Sequence, residues 1–419
     1  MQDPRIDQSV RRISRWRRLL RLATGVALVT PATFAAVGGL GGAAHAVTSV
    51  EANPNLGMLT VRAQPGRVNS ISVTQQLNRL IIHDSRDTVR ASATCDAVDP
   101  QTVVCPARAI FQVVIDAGDL NDEITFDAAD EFEVLTGRLI GGPGDDVLVL
   151  GPNATTGHLF GGQGNDVLKG GRASDFLEGG AGADEFTGGD GVDFADYRSR
   201  ETPIVVSIDN IQDDGAAGER DNVHTDVENV IGGSSDDVLA GSHSDNNLDG
   251  GPGRDRLFGD LGDDALTGGL GSDSLNGGPG SDELFGAEGD DFLEGGSGTD
   301  SDFFEGGDGT DSVSYSGRPD DITADNNGQF DDGGGAGTEK DNVRQTVEAI
   351  HGGDGNDRLR IAAPDSAVVG NALTGGAGDD RLIVRDGGPR DIADGGPGTN
   401  SCIIDPEDKP VDCDPLRHQ

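Results

Sequence analysis

Between Gly232 and Asp300 the apolar residues recur once every nine positions, and the interval never slips. Leu239, Leu248, Leu257, Leu266, Leu275, Leu284 and Leu293 each stand two residues before a glycine. The units begin at Gly232, Gly241, Gly250, Gly259, Gly268, Gly277, Gly286 and Gly295, and follow the pattern Gly-Gly-x-Gly-x-Asp-x-Leu-x with departures, as in Gly250–Phe258. An x-Leu-x triplet is a very short strand with one side chain facing inward. Three residues are too few to hold a strand, since typical strands run ~5–6 residues. The units must therefore stack. Consecutive turns fall on opposite edges of a flattened coil, with units n and n+2 one above the other. Self-similarity of this kind takes precedence over any local reading.

The same pattern, more worn, extends in both directions. A degenerate copy occupies Asp116–Thr125, and a full unit starts at Gly141 with Leu148 inward. After a spacer at Val149–Leu159, a clean run follows from Gly161, Gly170, Gly179 and Gly188, with Leu168, Leu177, Phe186 and Ala195 inward. Two long insertions resemble each other. One carries Asp213-Asp214-Gly215, Asp221-Asn222-Val223 and Val227-Glu228; the other carries Asp331-Asp332-Gly333, Asp341-Asn342-Val343 and Val347-Glu348. Each reads as a wider coil stacked on the roll, with Val223, Val227 and Val230 inward and acidic loops offering a further cation site. Residues 47–116 follow another pattern, in which six short alternating runs separated by polar turns predict a β-rich cap. The expected division is a leader at 1–46, the N-terminal cap at 47–116 and a first array at 117–196. An insertion coil at 197–231, the main array at 232–314 and a second insertion coil at 315–351 follow. The last repeats and a C-terminal cap fill 352–419.

Composition alone would suggest disorder. The chain has 419 residues, a formal net charge of −43, 67 glycines and 34% hydrophobic residues. Such a balance usually marks an unfolded, solvated chain. The nine-residue period overturns that reading, because the carboxylates are placed rather than scattered. The thin apolar content still requires something to neutralise the charge. Seven of the basic residues lie within the first 46, so the body is more acidic than the whole and nucleic-acid binding through phosphates is excluded. Residues 1–46 combine arginines at Arg11, Arg12, Arg15, Arg17, Arg18 and Arg21 with an apolar run from Leu22 to about Leu40, then Ala44-His45-Ala46. That is an export signal, and the mature protein is expected to hold no transmembrane segment. Four cysteines in two close pairs, Cys95 with Cys105 and Cys402 with Cys413, then predict one disulfide in each cap.

The chemistry lies in the sixth position of each unit. Paired glycines take positive φ and turn the chain sharply, which leaves carbonyls in the bend. An aspartate beside them adds a carboxylate, and six to eight such oxygens suit Ca²⁺. The candidate metal ligands are Asp146, Asp166, Asp175, Asp184, Asp193, Asp237, Asp255, Asp264, Asp273, Asp282, Asp291, Asp300, Asp311, Asp357 and Asp380. Asn246 and Asn400 interrupt the series.

On these residues the chain resembles the RTX, or hemolysin-type, calcium-binding repeat proteins, with interruptions from roughly Gly141 to Cys402. The resemblance implies an all-β fold, a parallel β-roll or β-solenoid. It also implies that the sixth-position aspartates and turn carbonyls bind Ca²⁺ while the eighth-position apolar residues fill the coil. Roughly six Ca²⁺ are expected in the eight-unit array if every gap fills. Affinities of ~10⁻⁴–10⁻³ M, those of extracellular modules, are expected.

No His-Glu-x-x-His, Gly-x-Ser-x-Gly or phosphate loop is present. The sequence therefore predicts a secreted, non-catalytic calcium-binding protein whose roll folds on binding Ca²⁺, with a surface, adhesive or matrix role. A cell-surface or matrix partner is expected and a nucleic-acid partner is not. The alternative is a Ca²⁺-stabilised hydrolase with its site in the N-terminal cap or an insertion.

Overall fold

The computed structural model describes residues 47–128, 135–154, 156–296, 300–329, 331–334, 339–361, 370–384 and 390–414. The export signal expected over 1–46 lies outside them. Among the described residues there is no helix; the chain is an all-β parallel solenoid.

The stacking follows the nine-residue period. On one face Leu248 lies opposite Leu266, and Leu266 opposite Leu284; on the other Leu257 lies opposite Leu275, and Leu275 opposite Leu293. Each unit is thus hydrogen-bonded to the second one along, and its single inward leucine joins a continuous buried column. Burying one such leucine contributes roughly 1.5–3 kcal/mol. The two faces are unequal. The strands Arg256–Phe258, Ser274–Asn276 and Phe292–Glu294 stop after three residues. Asn247–Pro252, Ala265–Leu270 and Glu283–Glu288 run six residues, because the ladder continues through the turn, with Gly251 opposite Gly269.

The insertions exchange one face of the roll. After Phe194–Asp196 the chain first lays down Ile204–Ser207, which pairs with Val238–Ala240 and founds a new sheet. It then returns to place Asn222–Val223 on Glu185–Thr187, ending the old sheet, and rejoins the other face as Asn229–Ile231. The second insertion repeats this. Thr323–Asp325 founds a sheet with Arg358–Ile361, Asn342–Val343 ends the sheet of Phe303–Asp308, and Ala349–His351 continues the face of Ser312–Ser314. Val223, Val227 and Val230 are buried. So the insertion is not simply a wider coil: it starts the next face before finishing the last.

The N-terminal segment is built differently. Val47–Asn53 pairs antiparallel with Met58–Arg62, and Ser70–Gln76 with Arg79–Asp84, which also pairs with Thr102–Pro106. Alternation along these strands sends Leu59, Val61, Ile71, Val73, Leu80 and Ile82 inward. Met58–Arg62 and Ser70–Gln76 then pair parallel with Gln112–Asp116 and Glu123–Asp127, so the hairpins cover the end of the roll and its sheets run on unbroken. Disulfides join Cys95 to Cys105 and Cys402 to Cys413, one near each end.

Candidate metal centre

The unit Gly268–Asn276 shows how the turn is made. Gly269 and Gly271 have φ of 117° and 131°, a region that a side chain resists. A Cβ at either would also strike the carbonyl of the layer above, from Gly251 or Gly253. The turn therefore presses carbonyl oxygens into the space between layers. At the neighbouring Gly250, an added Cβ would stand 2.6 Å from Asp255 Oδ2 and 2.7 Å from the carbonyl oxygen of Gly268. A carboxylate of the same unit and a carbonyl of the next layer thus converge over Gly250, as they do over Gly259, Gly268 and Gly286.

The acids form rows along the edges of the roll. Asp237, Asp255, Asp273, Asp291, Asp311 and Glu348 make one; Asn246, Asp264, Asp282, Asp302 and Asp341 make a second. In both, the backbone N–H of each member donates to a side-chain oxygen of the next, 2.7–2.9 Å away. Asp122, Asp146, Asp166, Asp184 and Asp221 form a third row, again at 2.7–2.9 Å. Asp175, Asp193 and Glu228 form a fourth; Asp357, Asp380 and Asn400 a fifth.

Only one oxygen is used in this way. Oδ2 of Asp146, Asp166, Asp184, Asp193, Asp255, Asp264, Asp273, Asp282, Asp291, Asp311 and Asp380 is buried and accepts no hydrogen bond. Burial, the largest influence on each, pushes these carboxyls up: to about 8 at Asp166, Asp193 and Asp282, and to about 7 at Asp255, Asp264 and Asp311. Asp146, Asp184 and Asp273 are pushed up to about 6. A buried carboxylate oxygen with no donor is costly unless it takes a proton or a cation. The all-oxygen surroundings, carboxylate plus glycine carbonyls, fit a hard divalent cation, Ca²⁺ above all.

Three expected ligands are already engaged. Oδ2 of Asp175, Asp237 and Asp357 accepts the N–H of Gly171, Gly233 and Gly353, each at 2.7 Å. Their Oδ1 accepts from Gly157, Ile204 and Ile322. Asn246 does the same with Ser242 and donates its amide to the carbonyl of Glu228. The strand above each of these four units belongs to a spacer or an insertion rather than to a nonapeptide, so each opens its row and its side chain closes its own turn.

One expected ligand is displaced. Asp300 is exposed, and the row position belongs to Asp302, whose Oδ1 accepts the N–H of Asp282 at 2.9 Å. The cause is strand register: Phe304 pairs with Leu284, so the acid two residues before the inward side chain is Asp302, and the two extra residues fall in the turn before it. Sequence reasoning also missed Asp122, Asp221, Glu228, Asp341 and Glu348. All five lie two residues before a buried apolar residue, namely Ile124, Val223, Val230, Val343 and Ile350. That spacing, without the glycines, was the available signal. The acidic loops of the insertions act as clasps. Asp214 holds the N–H groups of Ser207 and Val223, and Asp332 those of Asp325 and Val343.

The family model of the RTX calcium-binding nonapeptide repeat matches the chain in four copies, at residues 160–195, 231–266, 267–302 and 348–360. No curated protein matches the chain.

Proposed function

This chain is an RTX calcium-binding repeat protein, and on that premise we propose that it is a secreted, non-catalytic scaffold whose roll folds as Ca²⁺ fills the gaps between its turns. One observation carries the reading: buried carboxylate oxygens without a hydrogen-bond partner recur along the edges, layer after layer. The residues that would hold the ions are the open aspartates of the rows, with Asp302 in place of Asp300, together with carbonyls of the turn glycines. A bound cation would supply the positive charge these layers lack. The eight units from Gly232 to Gly295 have six layer gaps, each faced by one of Asp255, Asp264, Asp273, Asp282, Asp291 and Asp302, so roughly six Ca²⁺ are assigned there. Because cation binding and ordering are coupled, the chelated array is proposed to be unfolded.

The disulfides favour an oxidising compartment, and the arginine-led apolar stretch at the start of the sequence favours export. A surface, adhesive or matrix role, with a cell-surface or matrix partner, is the use we propose for such a scaffold. Calcium titration of the full chain, followed by circular dichroism and by equilibrium dialysis, tests the reading. A β spectrum that appears only as several ions bind is expected. A spectrum unchanged between chelator and millimolar Ca²⁺ would overturn the coupling.

A further inference from the structure

We infer that the seam between the last turn of the main array and the second insertion is a separate divalent-cation site, built by Asp302, Glu339 and Asp341 beside the hydroxyl of Tyr315. One carboxylate oxygen from each of the three acids lies within 4.8 Å of the others, and all three residues are buried. Glu339 is already balanced: Arg318 donates to both of its oxygens at 2.6 Å. Asp302 and Asp341 face each other instead. The N–H of Asp302 donates to Asp341 Oδ1 at 2.9 Å, while Asp341 Oδ2 is buried without a partner.

A second observation points the same way, and it comes from the first insertion. There Asp184, Glu219, Asp221, Tyr197 and Arg200 occupy the corresponding places, and Arg200 again pairs with the glutamate at 2.7 Å. Tyr197 closes that seam by donating its hydroxyl to Asp221 Oδ2 at 3.1 Å. Tyr315 does not repeat this bond. Its ring lies against Phe304, 3% of its surface is exposed, and its hydroxyl approaches Asp341 only weakly, without a closed bond of the Tyr197 kind. Asp341, Asp332, Glu339 and Asp302 all act on that phenol, after burial, to push it up. A buried neutral oxygen thus stands beside the open oxygen of Asp341 and the carboxylates of Asp302 and Glu339, a hard donor set suited to Ca²⁺. The competing occupant is a proton, since burial and then the charge of Asp302 push Asp341 up to about 9.

The site takes the same ion as the rows and shares Asp302 with the last nonapeptide gap of its row, but Glu339, Asp341 and Tyr315 come from the insertion. The chain's two tyrosines, one per insertion, make it readable. Terbium replaces Ca²⁺ at oxygen sites and luminesces when a nearby tyrosine passes it energy, which falls steeply with distance. In the full-length protein, Tyr315→Phe is expected to abolish one component of the tyrosine-sensitised terbium emission, and Tyr197→Phe to spare it. Asp341→Asn, which keeps the oxygen that accepts from Asp302, should remove the same component and lower the Ca²⁺ count by one, with the circular dichroism of the calcium-loaded protein unchanged. Emission indifferent to Tyr315→Phe, or an ion count unchanged in Asp341→Asn, would overturn the site and leave a shared proton there. Should the rows themselves bind nothing, the Tyr315 component would persist against a total of about one ion, which separates the two failures.

Discussion

Asp84 in the N-terminal hairpins and Asp273 in the main array are both buried aspartates at strand ends, and they are satisfied in opposite ways. Asp84 receives the hydroxyl of Thr48 on one oxygen and the N–H groups of Ser70, Arg86 and Asp87 on the other. Asp273 receives one N–H and leaves its second oxygen bare. The surrounding cores differ in the same sense. Strands of the hairpins bring two or more apolar side chains inward, as Leu59 and Val61 do, whereas an array strand brings one per nine residues. A single leucine offsets only part of the entropy lost in ordering nine residues. Asp84 is completed by neighbouring side-chain and backbone donors; each layer of the array is left short by one positive charge.

The largest expected effect is therefore selective loss of the array on chelation. Hydrogen exchange read by mass spectrometry should show peptides from 232–314 losing protection in excess chelator while those from 50–115 keep it. Simultaneous loss would erase the distinction. The pH response comes next. Carboxyls pushed up to about 6–8 bind protons more tightly folded than in the unfolded chain, where aspartate titrates near ~3.9. Their contribution to the metal-free array is then fully present below ~4 and lost as pH rises through about 6–8. With Ca²⁺ supplied the trend reverses, because the ligands must be deprotonated. Circular dichroism from pH 4 to 8, with and without chelator, checks both signs.

Smaller effects sharpen the contrast. Leu266→Ala, in the buried column, should cost about 2–5 kcal/mol and raise the Ca²⁺ needed for folding, while Leu59→Ala should cost a similar amount and leave that requirement alone. The two can be compared by denaturant unfolding at several Ca²⁺ concentrations. Smallest is the difference between neighbours in one row. Asp255→Asn should lower the number of ions bound, as dialysis would register. Asp237→Asn should leave that number unchanged and lower stability by about 1–3 kcal/mol, through a lost hydrogen bond to Gly233 or Ile204.

Much of this was open to reading from residues alone. The nine-residue interval identified the inward column, the pairing of each unit with the second one along, and the edge position of the acids, because turn chemistry and strand alternation are local properties. The cysteine pairs were legible from their closeness in sequence. The placement of Asp302 over Asp300 was not, since both lie near the glycine turn and only the pairing of Phe304 with Leu284 chooses between them.

What the chain fixes by itself is thus the repeat, its glycine corners and a carboxylate for each layer. The folded molecule alone decides which carboxylates stay open. Gly251 and Gly269 adopt positive φ and leave the oxygens of Asp255 and Asp273 free, whereas Gly171, Gly233 and Gly353 do not, and their N–H groups take up the oxygens of Asp175, Asp237 and Asp357. The motif is nearly the same in both sets. The layer above differs, and the N–H that reaches Oδ1 of each of these aspartates comes from eighteen or more residues away, where no local rule reaches.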